Sequence, residues 1–194
     1  MRVLPCGDTA VIIDCADAAE ARRWYAALRD RVPAVLGDAT VLLRGRPADL
    51  RSLVGRTELG DIDPPARRIV EVPVVYDGPD LGEVARLTGL SEAEVVTAHT
   101  GTVWQVGFAG FAPGFAYLVG GDPRLEVPRL DRPRPLVDAG AVGLAGRFSG
   151  IYPRASPGGW RLIGRTAAVL WDLERDDPAL LHPGDTVRFT AVPR

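Results

Sequence analysis

The sequence predicts an α+β protein with a small N-terminal α/β domain over residues 1–66 and a mostly β domain over residues 67–194. Apolar residues recur at helical spacing in the first part, whereas short β-like runs separated by glycine and proline fill the chain after Thr102. Between the two parts, a polar stretch containing Pro64 and Pro65 is typical of a linker. With 46% hydrophobic and 25% charged residues, the 194-residue chain has the composition of a globular protein.

The N-terminal domain is predicted to combine strands with one main helix. β-branched residues predict strands at 9–14 and 40–44. A helix is predicted over 18–31, because Asp17 and Glu20 can form a capping box at its start. The apolar residues that follow lie on one helical face, so we expect that face to be core.

Proline marks the elements on either side of the linker. A short second helix is expected to begin at Pro47 and to end at Gly55. The run 68–76 is rich in valine and predicts a strand. Since Pro73 cannot donate a backbone hydrogen bond, this strand is expected at a sheet edge or at a bulge.

Two short helices are predicted next, at 80–87 and 91–99, and Ser91 with Glu94 forms another capping box. A helix–turn–helix of this length could indicate DNA binding. The second helix, SEAEVVTAH, carries two glutamates and no arginine, so phosphates would repel it. We therefore expect no nucleic-acid partner.

The last part of the chain predicts a β-barrel or a β-sandwich. Its β-like runs alternate with glycine and proline turns, which favours this class over a parallel α/β sheet. The predicted strands are VWQV, FAYL, AVGLA, WRLI, AAVLW and TVRFTAV.

Composition excludes several kinds of site. All 23 basic residues are arginine, so neither a Schiff-base lysine nor a P-loop lysine is possible. Any anion must be held by arginine, by backbone N–H groups or by a helix N-terminus. His99 and His182 are far apart and have no metal-ligand spacing around them, so no tightly bound metal is predicted.

The setting is expected to be cytoplasmic. Cys6 and Cys15 do not form a CxxC motif and are expected to be reduced. The chain lacks the apolar segment of a signal peptide and has no apolar run of the roughly 20 residues that span a bilayer, so no membrane partner is expected.

Glycine, proline, aromatic and arginine residues are concentrated between Phe108 and Thr166. Glycine lets a backbone approach a ligand closely, aromatic rings form flat walls, and arginine offers forked donors to a carboxylate or phosphate. The pattern therefore suits a small anionic substrate with a flat or cyclic body. Turn chemistry in a tight barrel would give the same composition, so both interpretations stay open.

Long motifs narrow the choice, and they closely resemble the family of 5-oxoprolinase B subunits, also called allophanate hydrolase subunit 1 or the KipI-type kinase inhibitor family. The resemblance covers nearly the whole chain. It is carried by GFAGFAPGFAYL, PRLDRPR, GIYPRASPGGWRLIGRT and LLHPGDTVRF, and upstream by VEVPVVYDGPDLGEVA and GDTAVII.

The resemblance implies a cyclophilin-like β-barrel behind a small α/β domain. It also implies a heteromer with a homologue of the 5-oxoprolinase C subunit and, for full activity, the A subunit as a third component. Such an enzyme opens 5-oxo-L-proline to L-glutamate and uses ATP as a substrate, and this chain would be inactive alone. Relatives commonly have a hydroxyl and an amide where this chain has Ala141 and Phe148. Phe148 is therefore expected to face the substrate, and Phe148→Gln to raise turnover.

Site residues follow from the motifs that match the family. The catalytic candidates are Tyr117, Tyr152 and Ser156. The candidates for binding substrate or ATP are Arg129, Arg134, Gly158, Gly159, Arg165 and Thr166. The candidates for partner contact are Phe111, Pro113, Phe115 and Trp160. Arg165 is the first choice for holding an anion, although a structural ion pair would explain it equally well.

Two other functions stay open. The chain could be a carboxyltransferase-like subunit of a urea- or allophanate-type enzyme. Because it has no lysine, biotin would then have to arrive on a partner protein. Alternatively, it could be a non-enzymatic protein that inhibits a histidine kinase through the same aromatic surface.

Overall fold

The computed structural model describes residues 1–60 and 68–194 and divides into two compact units, Met1–Pro65 and Ala66–Arg194. The predicted linker at Pro64 and Pro65 lies outside the described residues, as does the boundary at residue 66. The division into domains 1–66 and 67–194 therefore stays a prediction.

The N-terminal unit is a four-stranded antiparallel sheet with two helices, and its strand order is β1-β2-β4-β3. Its elements are β1 (Arg2–Pro5), β2 (Ala10–Asp14), α1 (Ala18–Leu28), β3 (Ala34–Leu36), β4 (Thr40–Arg44) and α2 (Pro47–Gly55). Helix α1 packs on β3 and β4, and α2 packs on β2. The strands β1 and β3 were not predicted, because neither is a β-branched run.

Helix α1 begins at the predicted residue and has the predicted buried face, but only the Asp17 half of the predicted capping box is formed. The Asp17 carboxylate accepts the backbone N–H of Glu20 at 2.7 Å, while Glu20 accepts that of Ala16 at 2.6 Å. Trp24 and Leu28 are buried, as the helical spacing predicts. The helix ends at Leu28 rather than near residue 31, shortly before Pro33, which disfavours a helical conformation for the residue before it.

The C-terminal unit is a seven-stranded sheet that closes into a barrel, and the α+β prediction is confirmed. Its elements are β5 (Ile69–Val74), α3 (Leu81–Thr88), α4 (Glu92–Gly101), β6 (Trp104–Ala109), β7 (Ala116–Val119), β8 (Arg134–Val137), β9 (Ala141–Ala145), β10 (Phe148–Ile151), β11 (Ser156–Gly158), β12 (Arg161–Arg165) and β13 (Thr186–Ala191). The strand order is β12-β9-β10-β7-β6-β13-β5, and β8 pairs with β11 in a separate ribbon. Val75, which follows β5, and Arg165 of β12 exchange two backbone hydrogen bonds of 2.9 Å. These bonds join the two ends of the sheet order.

Most predicted strands are present, but AAVLW is not one. The chain leaves the barrel after Arg165, the residue at which Val75 closes the sheet. The segment instead leads into a hairpin-like loop in which Trp171 bridges Ala179. Pro73 lies in β5, at one end of the sheet order, as its missing N–H favours.

Helices α3 and α4 pack on the barrel. Helix α4 begins with the predicted capping box of Ser91 and Glu94, packs on β13, and buries His99 completely. Helix α3 packs on β12. Within the residues described here, no helix has the length and apolar character needed to cross a membrane.

Candidate functional site

Seven aromatic rings form one connected cluster on β6, β7, β10 and the neighbouring loops. Phe115 lies at its centre, with ring centroids 5.1–5.5 Å from four other rings. Phe108 stacks on Tyr117 at 4.3 Å. The members are Phe108, Phe111, Phe115, Tyr117, Phe148, Tyr152 and Trp160. Each ring is held by at least two others, so the cluster is a rigid wall.

Two of the residues predicted for partner contact are buried in this wall. Phe115 is 2% exposed and Trp160 is 5% exposed, so neither can touch another chain. That part of the prediction is wrong, because apolar residues in a glycine-rich loop gave no sign of which rings turn inward. Phe111, at 61% exposed, and Pro113 do remain accessible.

Phe111 has an unusual backbone. Its φ is 68°, a left-handed value that a bulky residue adopts only at a cost. The turn is fixed by hydrogen bonds from the Ala112 N–H to the Gly110 carbonyl at 2.8 Å and from the Phe115 N–H to the Ala112 carbonyl at 3.0 Å. This strained turn holds the Phe111 ring outward, at the edge of the cluster.

A narrow slot of about 40 Å³ opens between Phe111 and the rest of the cluster. Its lining residues are Phe111, Phe115, Tyr117, Arg129, Tyr152, Pro157, Gly158 and Trp160. The Tyr152 hydroxyl lies directly against Gly158, and any side chain at position 158 would collide with it. Glycine is therefore needed there to admit the tyrosine, rather than only for loop flexibility.

Tyr152 presents a protonated hydroxyl in this slot. Burial raises its pKa, although a hydrogen bond from the Trp160 backbone N–H and the charge of Arg129 act in the opposite direction. A neutral phenol can both donate and accept a hydrogen bond. Tyr152 therefore suits contact with a carbonyl or carboxylate oxygen.

Arg129 brings the positive charge to the slot. Its side chain is exposed, and among the residues that the structure describes no carboxylate pairs with it. An unpaired guanidinium beside flat rings is a ready receptor for a carboxylate. The slot thus brings together Arg129, Tyr117, Tyr152 and Gly158 from the predicted site.

Two other predicted arginines lie elsewhere, in a wider cleft of about 360 Å³. Arg134 donates to Asp80 at 2.6 Å, and the second Asp80 oxygen accepts the Leu162 N–H at 2.7 Å. Arg165 donates to Asp77 at 3.0 and 3.2 Å. Both guanidinium groups are thus already neutralised by carboxylates.

The remaining predicted residues have structural contacts. The Thr166 N–H donates to the Gly140 carbonyl at 2.9 Å, and its hydroxyl accepts the Ala168 N–H at 3.1 Å. The Gly159 carbonyl accepts the Leu130 N–H at 2.8 Å. Ser156 is buried on β11, and its hydroxyl finds no hydrogen-bond partner within the described part of the chain.

The sequence did not predict a buried polar chain inside the C-terminal unit. The Tyr76 hydroxyl lies 2.7 Å from His99 Nδ1, and His99 Nε2 lies 2.9 Å from Ser149 Oγ. The imidazole stacks on Phe189 with centroids 4.3 Å apart. Burial lowers the pKa of His99 to about 3, so the ring is neutral at physiological pH. His99, which matches the family's motifs, and Ser149 of the GRFSG motif were the available signals.

Phe148 does not line the slot. Its ring packs on Phe108 and Tyr117, with centroids 5.9 and 5.6 Å away, and it is not among the residues that line the slot. Among the described residues, no group of three or more histidine, cysteine, aspartate or glutamate side chains is placed to hold a metal ion.

Comparison with known proteins agrees with this architecture. Residues 1–181 match the family described as carboxyltransferase domain, subdomain C and D. The chain is 42% identical over 201 residues to the 5-oxoprolinase B subunit of Escherichia coli O157:H7, covering 94% of this chain and 92% of that protein. It is 47% identical over 129 residues to the 5-oxoprolinase B subunit of Bacillus subtilis, where it covers 54% of the relative.

Solved structures share the fold. The crystal structure of TTHA0988 superposes with a TM-score of 0.80 at 37% identity, covering 95% of this chain but 40% of that longer one. The Kluyveromyces lactis urea carboxylase superposes with a TM-score of 0.70 at 19% identity, which shows the fold alone. The resemblance inferred from the motifs is confirmed, and the chain belongs to the family of the carboxyltransferase domain, subdomains C and D.

Proposed function

We propose that this chain is the B subunit of a heteromeric, ATP-dependent 5-oxoprolinase that opens 5-oxo-L-proline to L-glutamate. The observation that carries the proposal is Arg129 at the rim of the aromatic slot, with no carboxylate partner in the described part of the chain. A flat five-membered lactam with one carboxylate matches a slot with ring walls and one guanidinium. The name of the Escherichia coli relative, which aligns over 94% of this chain, supports the same substrate.

The chemistry requires activation of the lactam. An amide is a poor electrophile, so transfer of the γ-phosphoryl group of ATP to the lactam oxygen would make the carbonyl carbon reactive. Water would then attack that carbon and the C–N bond would break, which gives γ-glutamyl phosphate and the free amine. A second water molecule would hydrolyse this acyl phosphate to L-glutamate and phosphate, with ADP as the other product. In this scheme Arg129 holds the substrate carboxylate, while the hydroxyls of Tyr152 and Tyr117 orient the ring.

The chain is proposed to be inactive alone. Small-molecule sites usually measure about 300–1,000 Å³, whereas the slot measures about 40 Å³. A second polypeptide is therefore proposed to complete the enclosure. Since Arg134 and Arg165 are paired with aspartates, ATP would be held mainly by the partner, a homologue of the C subunit, with the A subunit supplying the rest of the reaction.

Reconstitution tests the proposal. The chain would be combined with purified homologues of the C and A subunits, and ATP-dependent glutamate formation from 5-oxo-L-proline would be measured. We expect Arg129→Lys to raise KM for 5-oxo-L-proline by about tenfold or more, because lysine cannot make the bidentate contact. Arg132→Lys, at an exposed arginine three residues away that does not line the slot, is the matched control and should leave KM unchanged.

Absence of turnover by the full complex of natural chains would overturn the proposed activity. Equal KM values for the two lysine variants would remove Arg129 from the site.

A carboxyltransferase-like role is the second candidate. It is favoured by a match to the urea amidolyase of Saccharomyces cerevisiae, 31% identical over 117 residues. Carboxyl transfer from a biotinylated partner protein to urea, with no turnover of 5-oxo-L-proline, would favour this alternative.

A further inference from the structure

Two loops of the C-terminal unit meet beside the aromatic slot and expose apolar side chains. We call their exposed residues the apolar patch: Phe111, Pro113, Val169, Trp171 and Leu173. Leu173 is 79% exposed and Phe111 is 61% exposed. Contiguous apolar surface of this kind is rare on monomers and marks interaction sites.

The two loops are in direct contact at Gly114. Its φ is +82°, and a Cβ atom placed there would lie 2.9 Å from the Trp171 Cβ and 3.1 Å from the Leu170 carbonyl oxygen. Only glycine permits so close an approach in this conformation. The strained turn that carries Phe111 and the loop that carries Trp171 therefore form one surface.

The second loop is an ordered hairpin. Leu180 N–H donates to the Leu170 carbonyl at 3.0 Å, and Arg175 reaches back to the Val169 carbonyl at 3.1 Å. Leu170 and Leu181 are buried in the barrel core and anchor both of its ends. The exposure of Leu173 is therefore built into the fold.

Carboxylates border the apolar patch. The sequence DLERDD over 172–177, which we call the acidic segment, contains four acidic residues and one arginine. Glu174 and Asp176 are exposed. A partner suited to this surface presents an apolar face flanked by arginine or lysine, because buried rings and complementary charge together give affinity and orientation.

We infer that the apolar patch and the acidic segment form the docking surface for the second polypeptide of the enzyme, and that docking closes the slot over Arg129. Phe111 belongs to both the patch and the slot, so a chain seated on the patch also covers the slot. The identity of the partner as a homologue of the C subunit rests on the proposed function. The TTHA0988 chain agrees with this inference. The part that this chain matches is 40% of the TTHA0988 chain, and the rest of that chain is a further segment.

Binding to a purified C-subunit homologue, measured by calorimetry without any activity assay, tests this surface. We expect Leu173→Glu to weaken the complex by about tenfold or more, as replacement of a central apolar contact by a charge does. Leu136→Glu is the matched control, because Leu136 is 61% exposed but lines the separate cleft. It should bind like the natural chain.

The charge complementarity has its own test. The double variant Glu174→Arg with Asp176→Arg should weaken binding and reduce its dependence on salt, because the attraction that salt screens is lost. Glu126→Arg is the control, because Glu126 is exposed in the same unit but lies outside the acidic segment. It should change neither the affinity for the partner nor the dependence of that affinity on salt.

The outcomes separate this inference from the proposed function. If the natural chain forms an active complex that Leu173→Glu and Leu136→Glu leave equally tight, the location of the surface is wrong and the proposed function stands. Failure of the natural chain to bind the C-subunit homologue overturns both. If Leu173→Glu instead converts a homodimer of this chain to a monomer, a second copy is the occupant and the inference is also overturned.

Discussion

The guanidinium of Arg165 lies against the carboxylate of Asp77, with Nε 3.2 Å from both carboxylate oxygens and Nη2 3.0 Å from Oδ2. The two residues are 88 positions apart in the sequence and meet where the barrel closes. Arg165 was the first choice from the sequence for binding a substrate anion. In this structure the Arg165 guanidinium instead binds the Asp77 carboxylate of the same chain.

Arg165→Lys should therefore have little effect. The Arg165 side chain is 62% exposed, so the ion pair contributes about 0–1 kcal/mol, and lysine keeps the charge. We expect the Tm to fall by no more than about 4 °C and turnover of the reconstituted complex to stay close to that of the natural chain. A collapse of turnover at an unchanged Tm would place Arg165 on the substrate or on ATP instead.

Phe111 and Phe115 should differ sharply in their effect on stability. Phe115→Ala removes the central ring of the buried cluster and should lower the free energy of unfolding by about 3–5 kcal/mol. Phe111→Gly should change it by less than about 1 kcal/mol, because relief of the positive φ offsets the lost ring contacts. Urea unfolding of the two variants measures both values, and equal losses would contradict the assignment of Phe111 as an exposed surface ring.

His99 should make the protein less stable in acid. Its pKa is about 3 in the folded protein and about 6.5 when unfolded, so the unfolded chain binds the extra proton between these values. Stability is therefore fully present above pH 6.5 and falls as the pH drops towards 3, by at most about 1.4 kcal/mol per pH unit. Urea unfolding at about pH 7, 6 and 5 should show a shallower dependence on pH for His99→Gln than for the natural chain. Parallel slopes would mean that the Tyr76 and Ser149 hydroxyls stabilise a protonated ring.

Phe148→Gln should not restore a ligand contact. The Phe148 ring packs on Phe108 and Tyr117 rather than on the slot, and the Arg147 guanidinium lies 5.1 Å from its centroid. Loss of these aromatic contacts should destabilise the chain by about 1–3 kcal/mol without raising turnover. Thermal unfolding and steady-state turnover of the complex measure the two effects. A rise in turnover would support the original expectation that position 148 faces the substrate.

The fragment 67–194 should fold on its own. Its barrel with the hydrophobic core, its two helices and the aromatic cluster lie within the unit Ala66–Arg194. Circular dichroism of the fragment should show a β-rich spectrum and a cooperative thermal transition. A disordered fragment beside a folded full-length chain would place the domain boundary elsewhere.

Local signals in the sequence determined the elements that depend on neighbours along the chain. Strand β4 and helix α2 have the predicted bounds, because β-branched residues and a proline at the first helical turn act over a few positions. The capping box of Ser91 and Glu94 is equally local. The long glycine-rich motifs were sufficient to identify the family.

Only the tertiary structure decided which charges and rings meet. Arg134 pairs with Asp80 across 54 positions, and Phe115 becomes the buried centre of the aromatic cluster while Phe111, four residues before it, points outward. Spacing along the chain does not encode these contacts, because they arise when the strands close into a barrel and each side chain takes an inner or an outer position. Arg129 was one of three candidate arginines in the sequence and not the first choice, and it became the candidate for substrate binding because the fold gave aspartates to the other two.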